Sequence, residues 1–203
     1  MDATMLTALE GRLVRLRPLR TEDVAPLTDI AFAAPHEYRL TSTPADATQA
    51  EGYFAKAFAD MAAGTAVVMT VLEAGSERVL GSSRLTEIDP RHRRCELGYT
   101  WYRPEVFNSG VNIECKRLLL AHAFDALDLV RVQIHTDTRN LRSQRAIRAL
   151  GARYEGILRR HMITKDGFVR DTMVFAITDQ DWPHVRVRLD DRLARRIDSD
   201  HSS

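Results

Sequence analysis

Two stretches of the sequence carry residue types and spacings from which chemistry could be built. The first is Glu96-Leu97-Gly98-Tyr99-Thr100-Trp101-Tyr102-Arg103-Pro104, followed by Phe107-Asn108-Ser109-Gly110-Val111-Asn112. It reads as a strand running through a short loop into a helix over 111–127 that carries Leu118, Leu119, Leu120, Phe124 and Leu127. The first amides of a helix have no partner inside it and point outward with the positive end of the dipole, which suits a pyrophosphate. Gly110 would permit close backbone approach or a positive φ. A lone glycine before a helix is also an ordinary structural feature. The second stretch is Asn140-Leu141-Arg142-Ser143, continuing through Ala146 to Leu150-Gly151-Ala152. Asn140 can cap a short helix over 143–150 that Gly151 stops, and plain capping is the alternative to a ligand contact there. Both stretches follow successive strands of one strand-helix-strand unit, and that pairing lifts them above isolated caps.

Other reactive types are weaker candidates. Cys95 and Cys115 have no metal-type spacing and read as structural cysteines, and so few cysteines suit a reducing cytoplasm. His92, His122, His135 and His161 lack tight ligand spacing, so no metal is expected. Tyr154 reads as a half-buried strand tyrosine, and Arg159, Arg160 and His161 as a solvated strand face. A net charge of +1 provides no global field to recruit nucleic acid or a membrane surface. No window approaches the roughly 18 apolar residues of a membrane helix, and residues 1–10 lack the basic start and apolar run of a secretion signal. Lysine occurs only at 56, 116 and 165. The abundant arginines reflect either genome composition or a groove for an anion, to be decided site by site.

The elements that must position these residues follow from periodicity. Residues 13–18 alternate apolar and charged and predict an edge-like first strand. Thr21 is the expected N-cap of a helix to 34, and Thr48 with Glu51 makes a capping-box pattern for a second helix ending near Gly64. Strands are predicted over 65–73 and 78–88, joined through Gly75-Ser76, then over 94–102 and 130–136. Residues 153–163 and 168–177 flank Lys165-Asp166-Gly167, a tight-turn signal, and an amphipathic helix runs from 181 to about 196. A length of 203 residues suits one core. The expectation is a single domain over 9–196, with flexible tails at 1–8 and 197–203. The fold class is α/β (α+β): three layers around a mixed, mostly antiparallel sheet with a central parallel strand-helix-strand unit.

With Glu96-Leu97-Gly98-Tyr99, Ser109-Gly110-Val111-Asn112, Asn140-x-x-Ser143, Leu150-Gly151, Arg145-Ala146, Glu155-Gly156, Asp166-Gly167 and Arg170-Asp171 in place, the chain resembles the GNAT superfamily, in particular its RimJ/RimL-like N-acetyltransferases. The resemblance covers about residues 9–193 and is most specific over 96–171. It implies an enzyme, an acyltransferase using acetyl-CoA as co-substrate and no metal. The loop amides of Phe107, Asn108, Ser109, Gly110, Val111 and Asn112 would hold the pyrophosphate. The backbone at Trp101, Tyr102 and Arg103 would lie along the pantetheine and acetyl group, and Asn140 would contact the pantetheine arm. Ser143 would protonate the leaving thiolate, and Glu96 would act as general base. Glu96 as a salt-bridged strand carboxylate, with Arg84, Arg93 or Arg94 as partner, is the alternative. Arg142 and Arg145 are candidates for the adenosine 3′-phosphate. Phe107 stands where the general loop pattern has Gln or Arg, and Asn112 where it has a small residue. The implied acceptor is a protein N-terminal amine or a similar primary amine. A small-molecule amine acetyltransferase and a catalytically silent CoA-binding module are the alternatives. A homodimer is a further implication, and a nucleotide-binding Rossmann enzyme is disfavoured because no Gly-x-Gly-x-x-Gly follows a strand.

Overall fold

A computed structural model of the protein describes residues 7–200. Strands β1 (Leu9–Glu10) and β2 (Val14–Pro18) precede helices α1 (Val24–Ala33) and α2 (Ala47–Ala62). Then come β3 (Val67–Glu73), β4 (Val79–Asp89), β5 (Arg94–Tyr102), α3 (Val111–Ala121), β6 (Arg131–Asp137), α4 (Leu141–Leu150), β7 (Arg153–Ile163), β8 (Val169–Thr178) and α5 (Trp182–Asp200). One sheet runs β1-β2-β3-β4-β5-β6-β8-β7. Every neighbouring pair is antiparallel except β5 and β6. This is the mixed sheet with a central parallel unit that the element order implies.

Helices cover both faces. β3 is buried from Val67 to Leu72 without alternation, as a strand covered on two sides must be. α2 turns Ala50, Phe54, Ala57 and Met61 toward α1, Val68 and Trp101. On the other face α3, α4 and α5 share a core with β2 to β6 and β8, to which α5 contributes Trp182, Val185 and Leu189. α3 passes into one π-type turn over His122–Ala126, closed by the Leu127 amide donating to the His122 carbonyl.

Several local expectations shift. β2 is not an edge, because the short β1 pairs beyond it. Thr21 does not cap α1; a 3-10 turn over Thr21–Asp23 leads into it, and the Asp23 carboxylate accepts from the Arg20 amide at 2.9 Å. Asp46, not Thr48, caps α2 by accepting from the Gln49 amide at 2.8 Å, and Gln49 returns a bond to Asp46 at 2.7 Å. α5 runs on to Asp200 with Ile197 buried, so 197–200 are helical. The remainder of the expected tails, at 1–6 and 201–203, lies outside the described residues.

One carboxylate ties α3 to the start of the sheet. Glu114 is buried and accepts from the amides of Arg12, Leu13 and Val14 at 2.7, 2.6 and 2.8 Å. Gly11 makes room for it: a Cβ there would lie 2.5 Å from the Glu114 carboxyl carbon. Glu114→Gln puts an N–H donor against amides that need acceptors. Thermal denaturation should show a lower Tm, corresponding to a loss of about 2–4 kcal/mol; an unchanged Tm would show that the three bonds are replaced by water.

Candidate active site

The parallel ladder between β5 and β6 is short. Arg94 pairs with Arg131, Cys95 with Val132 and Glu96 with Gln133, and there the pairing stops. Both strands continue, β5 on β4 as far as Tyr102 and β6 on β8 as far as Asp137. Past Glu96 the two strands therefore part, and their facing backbone groups are left without a ladder. Backbone donors and acceptors want partners, so the fork is a place for an extended, amide-bearing ligand to lie.

β5 is shaped for this. Its pairing with β4 jumps from Gly98 opposite Arg84 to Trp101 opposite Ser82, leaving a bulge in which Tyr99 has φ +51. Such a conformation is costly for a tyrosine and must be held from outside. On the α2 side the Arg84 guanidinium lies 4.0 Å from the Tyr53 ring centre and 4.8 Å from that of Tyr99. On the α3 side the Lys116 ammonium donates to Thr100 Oγ1 and, at 3.2 Å, to Ser83 Oγ. Arg84, a candidate partner of Glu96 in the sequence, packs on tyrosines instead, while Lys116 gives no local signal and only its tertiary placement reveals it. Arg84 is buried, with Nε and Nη2 lacking any hydrogen-bond partner among the described residues.

Glu96, at the point of the fork, pairs with none of its expected arginines. Arg93 is held by Asp128 and Arg94 by Asp89. Instead Glu96 Oε2 sits 2.8 Å from His135 Nδ1, and each side chain is about one-seventh exposed (14%). Glu96 faces Gln133 across the ladder, so His135, two residues on, projects from the same face. The His161 ring stands edge-on to His135 with centres 6.0 Å apart, and its Nδ1 meets Thr172 Oγ1 at 3.1 Å. Arg170 Nε donates to the same hydroxyl at 2.9 Å. Burial pulls the Arg170 guanidinium below its usual value, against the opposing charges of Asp137, Glu96 and Tyr99. His161 is exposed, as expected of a solvated strand face, and meets the fork only through its contacts with His135 and Thr172.

The other candidates surround the fork. Trp101 is buried and its Nε1 donates to Tyr53 Oη at 3.0 Å, while the Tyr102 carbonyl accepts from Tyr38 Oη at 2.6 Å. Arg103 is spent on structure, its Nε donating to the Val79 carbonyl at 3.1 Å. Phe107 packs into both cores, which accounts for an aromatic in a loop position. The positive φ of the loop falls on Asn108 (φ 60), a residue type that tolerates it, and not on Gly110, whose φ is −70. A Cβ at Gly110 would lie 2.4 Å from Leu13 Cδ1, so a larger residue would have to move that side chain aside. Ser109 Oγ donates to the Val106 carbonyl at 2.7 Å and accepts from the Val111 amide at 3.2 Å. The first backbone bond of α3 runs from Glu114 to Gly110, so the amides of Asn112 and Ile113 precede the helical ladder and face outward.

Asn140 Oδ1 caps α4 through the Ser143 amide at 3.0 Å, which leaves its NH2 for another partner. The Ser143 side chain is partly buried, and its hydroxyl makes no hydrogen bond among the described residues. Arg142 is engaged elsewhere: it binds the Glu37 carboxylate and, at 2.8 Å, the Glu37 carbonyl. Lys165 reaches the carbonyls of Thr43 and Tyr38 at 2.6 and 3.2 Å. These two contacts fasten the segment between α1 and α2 over the fork. Burial pushes the Cys95 thiol up to about 12, which leaves it without nucleophilic thiolate. Among the described residues no set of three His, Cys, Asp or Glu side chains could hold a metal, and no helix is long and apolar enough to cross a membrane.

Residues 13–153 match the family model for the acetyltransferase (GNAT) domain. The chain belongs to the GNAT acetyltransferase family. The uncharacterized N-acetyltransferase YoaA of Bacillus subtilis (strain 168) is 30% identical over 102 residues, 50% of this chain and 56% of that protein. That match spans little more than half the length of the curated relative. A GCN5-related N-acetyltransferase from Brucella melitensis has 27% identity and a TM-score of 0.81 over 92% of this chain and 85% of its own. Mycobacterium smegmatis RimJ, solved in complex with CoA-disulfide, is 22% identical with a TM-score of 0.77 over 94% of each chain, a likeness of fold. Within this GNAT chain the strand, loop and helix of the first candidate stretch, and the capped helix of the second, all stand at the fork.

Lys116 has a measurable signature. Burial pushes its ammonium down to about 8 from 10.5, against the attraction of Cys115. Between those values the unfolded chain holds a proton that the folded chain has released, so stability rises with pH across the window. Lys116→Met should flatten that rise in denaturant titrations between pH about 8 and 10.5; a rise of wild-type size in the variant would assign it to another group.

Proposed function

We propose that this GNAT protein transfers the acetyl group of acetyl-CoA to a primary amine, with a protein N-terminal α-amine as the preferred acceptor. The observation that carries the reading is the fork between β5 and β6 with the Glu96–His135 pair at its point. The residues present fit the co-substrate: outward amides at the start of α3 for the pyrophosphate, the side of β5 at Trp101, Tyr102 and Arg103 that β6 does not ladder for the pantetheine amides, and the Asn140 NH2 that its cap leaves unused. Acetyl-CoA supplies an activated acetyl thioester. The chain supplies orientation and proton handling. An α-amine has a pKa near 8 and is largely protonated at neutral pH, so a base is required. Glu96 takes the proton directly or through water. In the arrangement where His135 Nδ1–H donates to Glu96, the hydrogen bond fixes the ring and leaves Nε2 as an acceptor facing onward. As the amine nitrogen bonds to the acetyl carbon, a β5 amide past Glu96 stabilises the charge growing on the carbonyl oxygen. The carbon–sulfur bond then breaks, Ser143 gives the departing sulfur its proton, and the nitrogen, on becoming an amide, sheds its remaining extra proton, which restores the Ser143 hydroxyl through water.

The two buried thiols fit a reducing cytoplasm, and the continuous sheet supports a single domain beginning at residue 9. The exposed Ile157, Leu158, Met162 and Ile163 on the edge strand β7 fit pairing of two copies. A small-molecule amine as acceptor, or a silent CoA-binding module, would emerge from the same assays.

Glu96→Gln should lower kcat about 10²- to 10⁴-fold with acetyl-CoA affinity unchanged. Ser143→Ala should lower turnover more than CoA affinity. Wild-type turnover by the Glu96 variant would overturn the base assignment.

A further inference from the structure

Helix α5 does more than cover the sheet. It runs antiparallel to α3, with Trp182 stacked on Phe124 (ring centres 5.5 Å apart), Arg117 on Asp190 at 2.9 Å, and Leu193 and Arg196 beside Gly110. The later turns of α5 therefore lie at the phosphate-loop end of α3. Arg188, Arg192 and Arg195 occur at i, i+4 and i+7 and form one stripe along the helix. With Arg196 and Ile113 they line a shallow cavity of about 520 Å³. Ile113 is the third residue of α3, so the cavity opens directly beside the amides assigned to the pyrophosphate.

The charges in this stripe lack the compensation found elsewhere in the chain. Arg17, Arg131, Arg139 and Arg153 each hold a carboxylate. Arg188 and Arg195 form no hydrogen bond or ion pair with any described residue. Arg192 donates through Nη1 to the Ala149 carbonyl near the end of α4, which fixes one edge of its guanidinium. Its pKa is drawn down by burial and then by Arg188 and Arg195. Three like charges on one stripe repel, and an anion between them would reverse the sign of that interaction. Guanidinium forks match phosphate oxygens. Arg142, a sequence candidate for the same role, is already bound to Glu37.

We propose that Arg188, Arg192 and Arg195 of α5 form the subsite for the ribose 3′-phosphate of CoA, and so select CoA over nucleotides that lack this group. The inference rests on the acetyl-CoA reading above. Its chemistry is simple: in CoA the 3′-phosphate is carried on the ribose attached to the pyrophosphate, so an anion site one ribose away from the α3 amides is what the ligand needs.

The test is calorimetric titration of the full chain with CoA and with 3′-dephospho-CoA. Both are measured on wild type and on an Arg188→Gln/Arg195→Gln double variant, with Arg192 kept for its bond to α4. Wild type should prefer CoA by about tenfold or more, the worth of charge-assisted bonds to one phosphate. The double variant should lose most of that preference while binding 3′-dephospho-CoA as wild type does, which also shows that it is folded. Equal wild-type affinities, or an undiminished preference in the variant, would overturn the subsite and leave the acetyl-CoA reading standing. Failure of wild type to bind either compound would remove both.

Discussion

The parting of β5 from β6 is the constraint on which the rest of the structure depends. A parallel pair in mid-sheet is normally laddered along its length, and here it is laddered for three residues. β8 holds β6 through Asp137 and β4 holds β5 through Tyr102, so each strand is laddered on its outer side while the two do not ladder each other past Glu96. An unladdered strand edge inside a protein is a standing demand for hydrogen bonds. A ligand with its own amides meets that demand, and a core of side chains would not.

Keeping such an opening requires reinforcement on both faces. Under the β5 bulge, Lys116 and the hydroxyls of Thr100 and Ser83 form a buried polar contact that holds the strand in a conformation tyrosine rarely adopts. Over it, Arg84 lies against the rings of Tyr53 and Tyr99. Farther out, Arg142 and Lys165 pin the segment between α1 and α2 across the fork, while Glu114 locks α3 to the first strands. Burying charges is expensive unless they are hydrogen-bonded, and Lys116 and Arg84 are two of the buried charges of this chain that stand beside the opening.

Much of this was legible in the sequence where the signal is local. The strands over 94–102 and 153–163 have the bounds that their patterning implies, because turn residues and loops bracket them. The junction into α3 and the Asn140 cap followed from helix-end chemistry alone. What escaped was decided by distant partners. Thr48 and Asp46 both offer a cap to α2, and Gln49 settles it for Asp46 by returning a bond. Gly110 looked like a conformational glycine but has an ordinary negative φ, and a Cβ there would meet Leu13 from the turn between β1 and β2. The partner of Glu96 is a histidine on the next strand, which only strand register could reveal: Glu96 opposite Gln133 brings His135 to the same face. The arginines of α5 carried no signal of their own within an amphipathic helix, and only its antiparallel packing on α3 brings them next to Ile113.

The central claim is that the fork binds acetyl-CoA and passes its acetyl group to an amine. The most direct measurement is titration of the purified protein with acetyl-CoA, run beside an assay of free thiol release over a panel of N-terminal peptides and small amines. The account predicts saturable binding together with thiol release that depends on the amine. No binding of acetyl-CoA would contradict it, because the amides of α3 and the open edge of β5 would then have no ligand.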